Sequence, residues 1–215
     1  MQRRCFPNIP LELQQYVIES ITDGEIKDIV SKIFLDDAVD FLEEMPSNVV
    51  KKVLRNTDEE KRKLINQFLK YPEDSTGSVM TIEFVDLRKQ MTVKEALNHI
   101  KATGIDKKTI NNCYVIDNVR RLEGVLSIRK LILSDENTTV GDIMNTDVVS
   151  VHTLDDQEKV ASLFKRYDFT TLPVVDNENR LVGIVTVDDA VDIIDQENTE
   201  DVQRMGGIEP MKKYI

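Results

Sequence analysis

Carboxylate side chains recur at short intervals between Thr186 and Asp201. With a helical period, Asp188, Asp192 and Asp195 share one exposed face, and further acids repeat at three- and four-residue spacing a turn later. Like charges at those spacings destabilise a helix, so this surface needs plentiful counter-ions or a specific divalent cation. The plainer alternative is a solvated acidic face, which is the usual role of such a run.

A second acidic surface is predicted on the helix LDDAVDFLEEM, where Asp36, Asp37 and Asp40 are expected to be exposed opposite an apolar stripe. Two acidic faces repel each other without a cation and are drawn together by one that binds both. Mg2+ prefers oxygen ligands and keeps several waters, so one carboxylate from each face is enough for a bridge. The lack of His and Cys clusters argues against zinc or copper.

Composition limits the partners of this 215-residue chain, whose net charge is −11. Such a charge argues against nucleic acid or an anionic lipid surface and is compatible with cations. Cys5 and Cys113 lie far apart without metal-binding spacing, which favours a reducing cytosol. The N-terminal residues lack the apolar segment of a signal peptide, and no apolar run approaches the roughly 18–20 residues that span a bilayer. We therefore expect the sequence as given to be a soluble polypeptide.

Residues 10–70 have the pattern of short amphipathic helices in succession, with Pro, Asp and Asn at the joints. This pattern predicts an α-solenoid or a small helical bundle. Residues 72–78 are rich in Pro, Gly and small polar side chains without periodicity, and they predict a hinge at a domain boundary.

An internal repeat follows the predicted hinge. Residues 114–132 align with residues 173–191, so that Asp117 matches Asp176 and Gly124 matches Gly183. Each unit has the pattern of strand, helix, strand, turn, strand and helix, with the first helices at 93–102 and 157–167. A repeat of this kind determines most of the architecture.

The repeated unit resembles a CBS domain. The resemblance is carried by DIM at 142–144, LPVVD at 172–176 and GIVTVDD at 183–189. Three further strings, YPEDSTGSVMT at 71–81, YDFTTLPVVD at 167–176 and VDDAVDIIDQENTEDVQRMGG at 187–207, resemble the cytosolic part of the MgtE family of magnesium transporters.

The resemblance implies an α+β fold, with an all-α, solenoid-like N-terminal domain followed by a tandem pair of β-α-β-β-α CBS domains. The implied boundaries are a helical N domain at 1–71, a hinge at 72–78, CBS units at 79–138 and 139–198, and the start of a linker at 199–215. The chain is then expected to be a piece of a longer transporter.

What the family implies in function is a magnesium sensor on the cytoplasmic face of the membrane. Mg2+ ions bridge the acidic faces of the cytosolic domains in the closed state, and the domains separate when Mg2+ is scarce. The implied partners are Mg2+, the transmembrane pore domain of the same protein and a second copy bound through the CBS domains. The implied metal ligands are Asp36, Asp37, Asp40, Glu158, Asp168, Asp189, Asp192, Glu197, Glu200 and Asp201.

An alternative function is binding of an adenine nucleotide, ATP or AMP, in the cleft between CBS units. The spacing Thr186-x-x-Asp189 fits a grip on phosphate and ribose, whereas the first unit has Lys130 at the position of the acid. Phe169 is the candidate for stacking on the base, with Arg129 and Lys130 near the phosphates. Core packing is the competing role of Phe169, and a strand-end cap that of Thr186.

Two further functional classes are a structural dimerisation module and an enzyme. A purely structural dimerisation module would use the apolar positions Val160, Leu163 and Phe164, which suit a core equally well. An enzyme is disfavoured, because His99 and His152 stand isolated and no nucleotide-loop or metalloprotease motif occurs. We predict no catalytic residue.

Overall fold

The N-terminal part of the chain is helical, as predicted. The computed structural model describes residues 11–43 and 45–205. Its first helices are α1 (Leu11–Ser20), α2 (Asp23–Lys32), α3 (Leu35–Glu43), α4 (Ser47–Asn56) and α5 (Glu59–Phe68). Thr22 begins α2 with a capping box to Glu25, and the Asp58 side chain caps α5. The apolar stripes of these helices pack together around buried residues such as Ile26 and Phe41.

Two β-α-β-β-α units follow, and the predicted order of elements is present in both. The first unit comprises β1 (Val85–Leu87), α6 (Val93–Thr103), β2 (Asn112–Ile116), β3 (Leu122–Ser127) and α7 (Ile128–Ile132). The second comprises α8 (Val140–Ile143), β4 (Val151–His152), α9 (Gln157–Arg166), β5 (Thr171–Val175), β6 (Leu181–Thr186) and α10 (Val187–Met205). In each three-stranded sheet the first pair of strands is parallel and the second antiparallel.

The two hairpins turn in the same way. The carboxylate of Asp117 accepts hydrogen bonds from the backbone N–H groups of Val119 and Arg121, and Asp176 does the same in the second unit. Arg120 and Asn179 have φ angles of 69° and 60°, in the left-handed region. The hairpins also pair with each other, because Leu181 N–H donates to the carbonyl of Arg120. The predicted turns are confirmed.

The leading segment of each unit crosses to the other unit. Thr81 pairs with Ile184 of β6, and Asn145 pairs with Val125 of β3. A side chain at Gly183 would approach the sulfur of Met80 within 2.7 Å, and one at Gly124 would meet Met144 within 2.8 Å. The glycines of the repeat are therefore needed for the close approach of these crossing segments.

The segment predicted as a hinge is bound to the second unit. Thr76 and Gly77 donate backbone hydrogen bonds to the carbonyls of Asp155 and Thr153, and Asp74 accepts one from the N–H of Gln157. Residues of α1 to α5 and of the second unit belong to one continuous core. The boundary drawn through this segment remains a prediction.

Val160 and Phe164 lie in this same core and are buried, while Leu163 is half-buried against it. They form the inner face of α9, which packs against α10. The prediction of a dimer interface on these three residues is therefore wrong, and they take the core role that was the alternative. Among the described helices, none is long and apolar enough to cross a membrane.

Candidate functional site

The side-chain ammonium of Lys108 lies between the helical part of the chain and the start of α10. It forms an ion pair with Asp36 of α3, and its nitrogen lies 3.5 Å from a carboxylate oxygen of Asp37 and 3.5 Å from one of Asp189. The Lys108 side chain is 4% exposed. One amine of the first CBS unit thus joins acids from α3 and α10.

The chain around Lys108 holds the amine at this point. Lys108 follows the single 3-10 turn Gly104–Asp106, and its N–H donates to the carbonyl of Glu83 at 2.8 Å. The carboxylate of Glu83 in turn accepts a hydrogen bond of 3.1 Å from the N–H of Leu35, the first residue of α3. The Lys108 ammonium lies 5.6 Å from the centroid of the Phe34 ring. Glu83 therefore holds both the backbone that carries the Lys108 amine and the start of α3.

Asp189 is positioned by the N-terminus of α10. The N–H of Thr186 donates to its carboxylate at 3.3 Å, and the Thr186 hydroxyl donates to the carboxylates of Asp188, at 2.7 Å, and Asp189. The other oxygen of Asp189 faces Lys108. The strand-end role considered for Thr186 is present here, and it orients the acid that reaches the helical domain.

Burial and crowding raise the pKa values of the acids at this contact. Burial raises the pKa of Asp36 to about 6 against the opposing charge of Lys108, and burial raises that of Asp189 to about 6 as well. Desolvation by neighbouring atoms and the charge of Asp36 raise the pKa of Asp40 to about 8, although one edge of Asp40 stays exposed. Burial alone would lower the pKa of Lys108, but Asp36 and Asp189 outweigh it and raise that pKa.

The exposed acidic face predicted for α3 is wrong in one respect. Asp36 is 3% exposed, because the Lys108 segment covers it, and one of its carboxylate oxygens is buried without a hydrogen-bond partner. Asp37 is half-buried, and Asp40 lies at the edge. The start of this face is thus directed at the CBS pair, whereas Asp40 and Glu43 further along α3 are exposed.

These acids suit a hydrated hard cation better than a closed metal cage. Within the described residues, no group of three or more His, Cys, Asp or Glu side chains is arranged to hold a metal ion directly. The buried oxygen of Asp36 nonetheless lacks a partner, and the donors are all carboxylate oxygens. Mg2+ keeps several waters and takes one or two carboxylates, so the set at this contact fits Mg2+ in that form. Asp36, Asp37, Asp40 and Asp189 are the residues that would hold it.

The other predicted ligands occupy a second region, around α9 and the later part of α10. Glu197 accepts a hydrogen bond of 3.2 Å from the Gln157 amide, which also donates to Asp74 at 3.3 Å. Glu158 is exposed in the first turn of α9, next to Gln157. Glu158 is thus the sequence neighbour of the residue that binds Glu197.

Asp168 and Asp192 are exposed in the loop after α9 and on α10, and α9 packs on α10. Desolvation together with the charges of Asp188 and Asp195 raises the pKa of Asp192. The side chains of Glu200 and Asp201 lie outside the described residues. The metal-binding role of all these acids remains a prediction.

The candidate nucleotide cleft lies beside the Lys108 contact. A cavity of about 280 Å³ is lined by Lys108, Thr109, Asn111, Thr170, Thr186, Val187 and Asp188. Of the five residues predicted for a nucleotide, this lining includes Thr186. Phe169 stacks on Tyr167 with centroids 5.3 Å apart and meets Phe164 edge-on, which is the packing role considered for it. Arg129 and Lys130 are exposed on α7 of the first unit.

Two residues of the contact, Lys108 and Glu83, were missed by the sequence reasoning. Their partners lie tens of residues away in the chain, so no local spacing connects them. The adjacent pair Lys107-Lys108 is one of several basic pairs in the sequence and does not single out Lys108.

Comparison with known proteins agrees with this architecture. Residues 1–74 match the model of the MgtE intracellular N domain, and residues 140–196 match that of the CBS domain. The crystal structure of the soluble part of a magnesium transporter superposes with a TM-score of 0.86 at 36% identity, covering 89% of this chain and 76% of that one. The chain belongs to the MgtE family.

Two further proteins are similar to this MgtE-family chain. The cytosolic domain of the Mg2+ channel MgtE in complex with ATP has a TM-score of 0.82 at 41% identity, covering 87% of this chain and 77% of that one. The magnesium transporter MgtE of Thermus thermophilus is 48% identical over 152 residues, which are 71% of this chain and 34% of the transporter. The match thus spans about a third of that transporter.

The raised pKa values predict how stability depends on pH without metal. Asp40 titrates near pH 8 in the folded chain and near pH 4 in the unfolded chain, so the folded state binds the extra proton between these values. Stability is therefore lost progressively as pH rises from about 4 to about 8. In EDTA we expect the free energy of unfolding to fall by about 1 kcal/mol from pH 6 to pH 9, after allowance for solvent screening at the exposed edge of Asp40.

Asp40→Asn should remove most of this slope in denaturant titrations, whereas Asp28→Asn on the exposed face of α2 should keep it. A rise in stability of the original chain between pH 6 and pH 9 would contradict the assignment.

Proposed function

We propose that this chain is the Mg2+-sensing regulatory region of a magnesium transporter, on the cytoplasmic side of the membrane. Its acidic surfaces on α3 and α10 come together in the closed state with Mg2+ between them. The observation that carries this proposal is the contact of those two surfaces around Lys108. Family membership supports it, because the relatives named above are magnesium transporters.

The balance of charge at the contact supports a divalent ligand. Asp36, Asp37 and Asp189 surround one ammonium, so three negative charges face one positive charge when the acids are ionised. Asp40 and Asp192 add negative charge at the edges of the contact. Desolvation and neighbouring acids raise the pKa values of both residues, as expected where negative charges are crowded. Docking of α3 on α10 thus brings like charges together, and the amine of Lys108 offsets part of their repulsion.

Each lobe contributes part of the binding surface. Mg2+ supplies two positive charges with a tightly held water shell, which carboxylates of both lobes can bind at once. Asp36, Asp37 and Asp40 hold the helical side of the contact, and Asp189 and Asp192 hold the side of α10. Because these acids are complete as a site only when docked, binding shifts the population toward the docked state.

The sites need to be weak to respond to intracellular magnesium. A dissociation constant of about 1 mM corresponds to roughly −4 kcal/mol, which a hydrated contact with one or two carboxylates can supply. Several such sites, including the region of Glu158 and Glu197, would together give a steep response. The long helix α10 begins at the contact and is the element through which docking is passed on to a pore domain.

A second copy of the chain is proposed as a partner through the CBS domains, on the basis of family resemblance. The first unit exposes Ile105, Ile132 and Leu133, which are 80%, 64% and 76% accessible, around an apolar groove. These side chains provide exposed apolar surface on that unit, and Ile105 and Ile132 line the groove. They replace the α9 positions as the proposed interface.

Mg2+ is expected to compact the chain and to raise its melting temperature by several degrees, while Na+ at matched ionic strength does neither. Small-angle scattering and thermal unfolding in EDTA, in NaCl and in a Mg2+ titration measure both effects. The double variant Asp168→Ala/Asp192→Ala should need several-fold more Mg2+ for the same change. A control double variant, Asp28→Ala/Asp147→Ala, removes two exposed acids away from the contact and should respond like the original chain. Identical scattering with and without Mg2+ would refute the proposal.

Binding of an adenine nucleotide is the second candidate function. It is favoured by the cleft of about 280 Å³ whose lining combines Lys108 with the polar side chains of Thr109, Asn111, Thr170 and Thr186. A relative of this chain is known in complex with ATP. Lys108 is the lining residue with a positive charge, although its amine is engaged by Asp36.

Calorimetry with ATP is expected to detect one site in this cleft. Thr186→Val should weaken binding about tenfold or more, because a buried polar contact to the ligand is lost. Ser127 occupies the matching position at the start of α7, so Ser127→Val is the control and should leave binding unchanged. Equal weakening by both variants, or no heat with the original chain, would count against a nucleotide site here.

A further inference from the structure

The cation at the centre of the contact between lobes belongs to the chain itself. Lys108 is reached by Asp36 and Asp37 from α3 and by Asp189 from α10. We propose that Lys108 is a tethered cation that docks the helical domain on the CBS pair at this point without a metal ion. Mg2+ then acts on the carboxylate oxygens of this contact that Lys108 does not bind, and on Asp40 and Asp192 at its edges. This inference rests on the proposed function and specifies which part of the docking depends on metal.

The position of the amine supports this role. Asp36 lies in the N-terminal helical domain, Lys108 in the first CBS unit and Asp189 in the second, so one nitrogen links three parts of the chain. The Lys108 side chain is 4% exposed, and that of Asp36 is 5% exposed. A surface ion pair contributes little, whereas a buried acid that loses its partner is left with an uncompensated charge.

The path of the backbone shows that the amine is held in place. The N–H of Lys108 is bound by the carbonyl of Glu83, whose side chain binds the N–H of Leu35. The ammonium also lies over the ring of Phe34. The amine is therefore held at the start of α3 by contacts that do not involve Asp36, Asp37 or Asp189. A mobile ion would have to be ordered at the same point, at an entropic cost that the covalent tether reduces.

The tethered charge leaves part of the contact to metal. The ammonium of Lys108 carries one positive charge for three nearby acids, and an oxygen of Asp36 is buried without a hydrogen-bond partner. Asp40 and Asp192 lie beyond the Lys108 contacts that the structure defines, at the exposed edges. At low magnesium, docking is thus weak but present around Lys108, and the edges supply the metal-dependent part.

Amine labelling of the original chain tests this directly. The reagent is an acetyl ester of N-hydroxysuccinimide, and the readout is the modification rate of each lysine by mass spectrometry, in EDTA and in 10-fold increments of Mg2+. We expect Lys108 to react at least tenfold more slowly than Lys107 and the exposed Lys101 in EDTA already. Equal rates in EDTA, with protection of Lys108 only after Mg2+ is added, would overturn the inference.

Variants provide the second arm. In EDTA, Lys108→Gln should have a larger radius of gyration than the original chain, and Mg2+ should bring it back. Lys107→Gln removes the same charge one residue earlier and should behave like the original chain, and Lys108→Arg should keep most of the docking. A Lys108→Gln chain as compact in EDTA as the original would overturn the inference.

The two proposals fail in different ways. If Lys108→Gln expands but Mg2+ changes neither that variant nor the original chain, the tethered cation stands and magnesium sensing fails. If Mg2+ compacts the original chain while Lys108 is labelled freely in EDTA, sensing stands and the tethered cation fails. Should Lys108→Gln not fold, the labelling rates of the original chain decide the matter alone.

Discussion

Three carboxylates and one ammonium meet at the place where the helical domain touches the CBS pair. Asp36 and Asp37 come from the first turn of α3, and Asp189 comes from the first turn of α10. Because all three acids carry the same charge, each approach of the lobes costs electrostatic energy unless a cation lies between them. Lys108 meets part of that need. The relative placement of the lobes therefore depends on charge compensation, although apolar residues of both lobes share one core.

In the proposed magnesium sensor, this contact is the part of the chain that responds to cations. The burial that raises the pKa values of Asp36 and Asp189 also makes their charges costly, so the docked state is sensitive to what cations are present. Purely apolar packing at this place would not depend on divalent cations. In the proposed function, the acids at the start of α10 are where the ion acts on that helix.

The repeat and its turns were predictable because their signals are local. Asp117 and Asp176 hydrogen-bond to backbone groups two and four residues later, and the spacing of apolar side chains sets strands and helices within each unit. The acids of α3 and α10 were predictable as faces for the same reason. Their meeting was implied by family resemblance rather than by the pattern.

What could not be predicted depends on contacts far apart in the sequence. Asp36 was expected to be exposed to solvent, but Lys108 covers it. The prediction failed because nothing near Asp36 in the sequence shows that Lys108 packs against it. Val160 and Phe164 show the same limit, since an apolar helix stripe fits a core and an interface equally well until its neighbours are known. The sequence around Glu83 contains no motif that marks it, and its role as a cap for α3 follows only from the fold.

The central claim is that the charge of Lys108 and the charge of Asp36 stabilise the docked lobes together. A double-mutant cycle with Asp36→Asn and Lys108→Gln, measured by denaturant unfolding in EDTA at neutral pH, tests it most directly. The account predicts a coupling free energy of about 1–3 kcal/mol, with the double variant less destabilised than the sum of the single variants. A coupling near zero, with the two single effects simply additive, would contradict it.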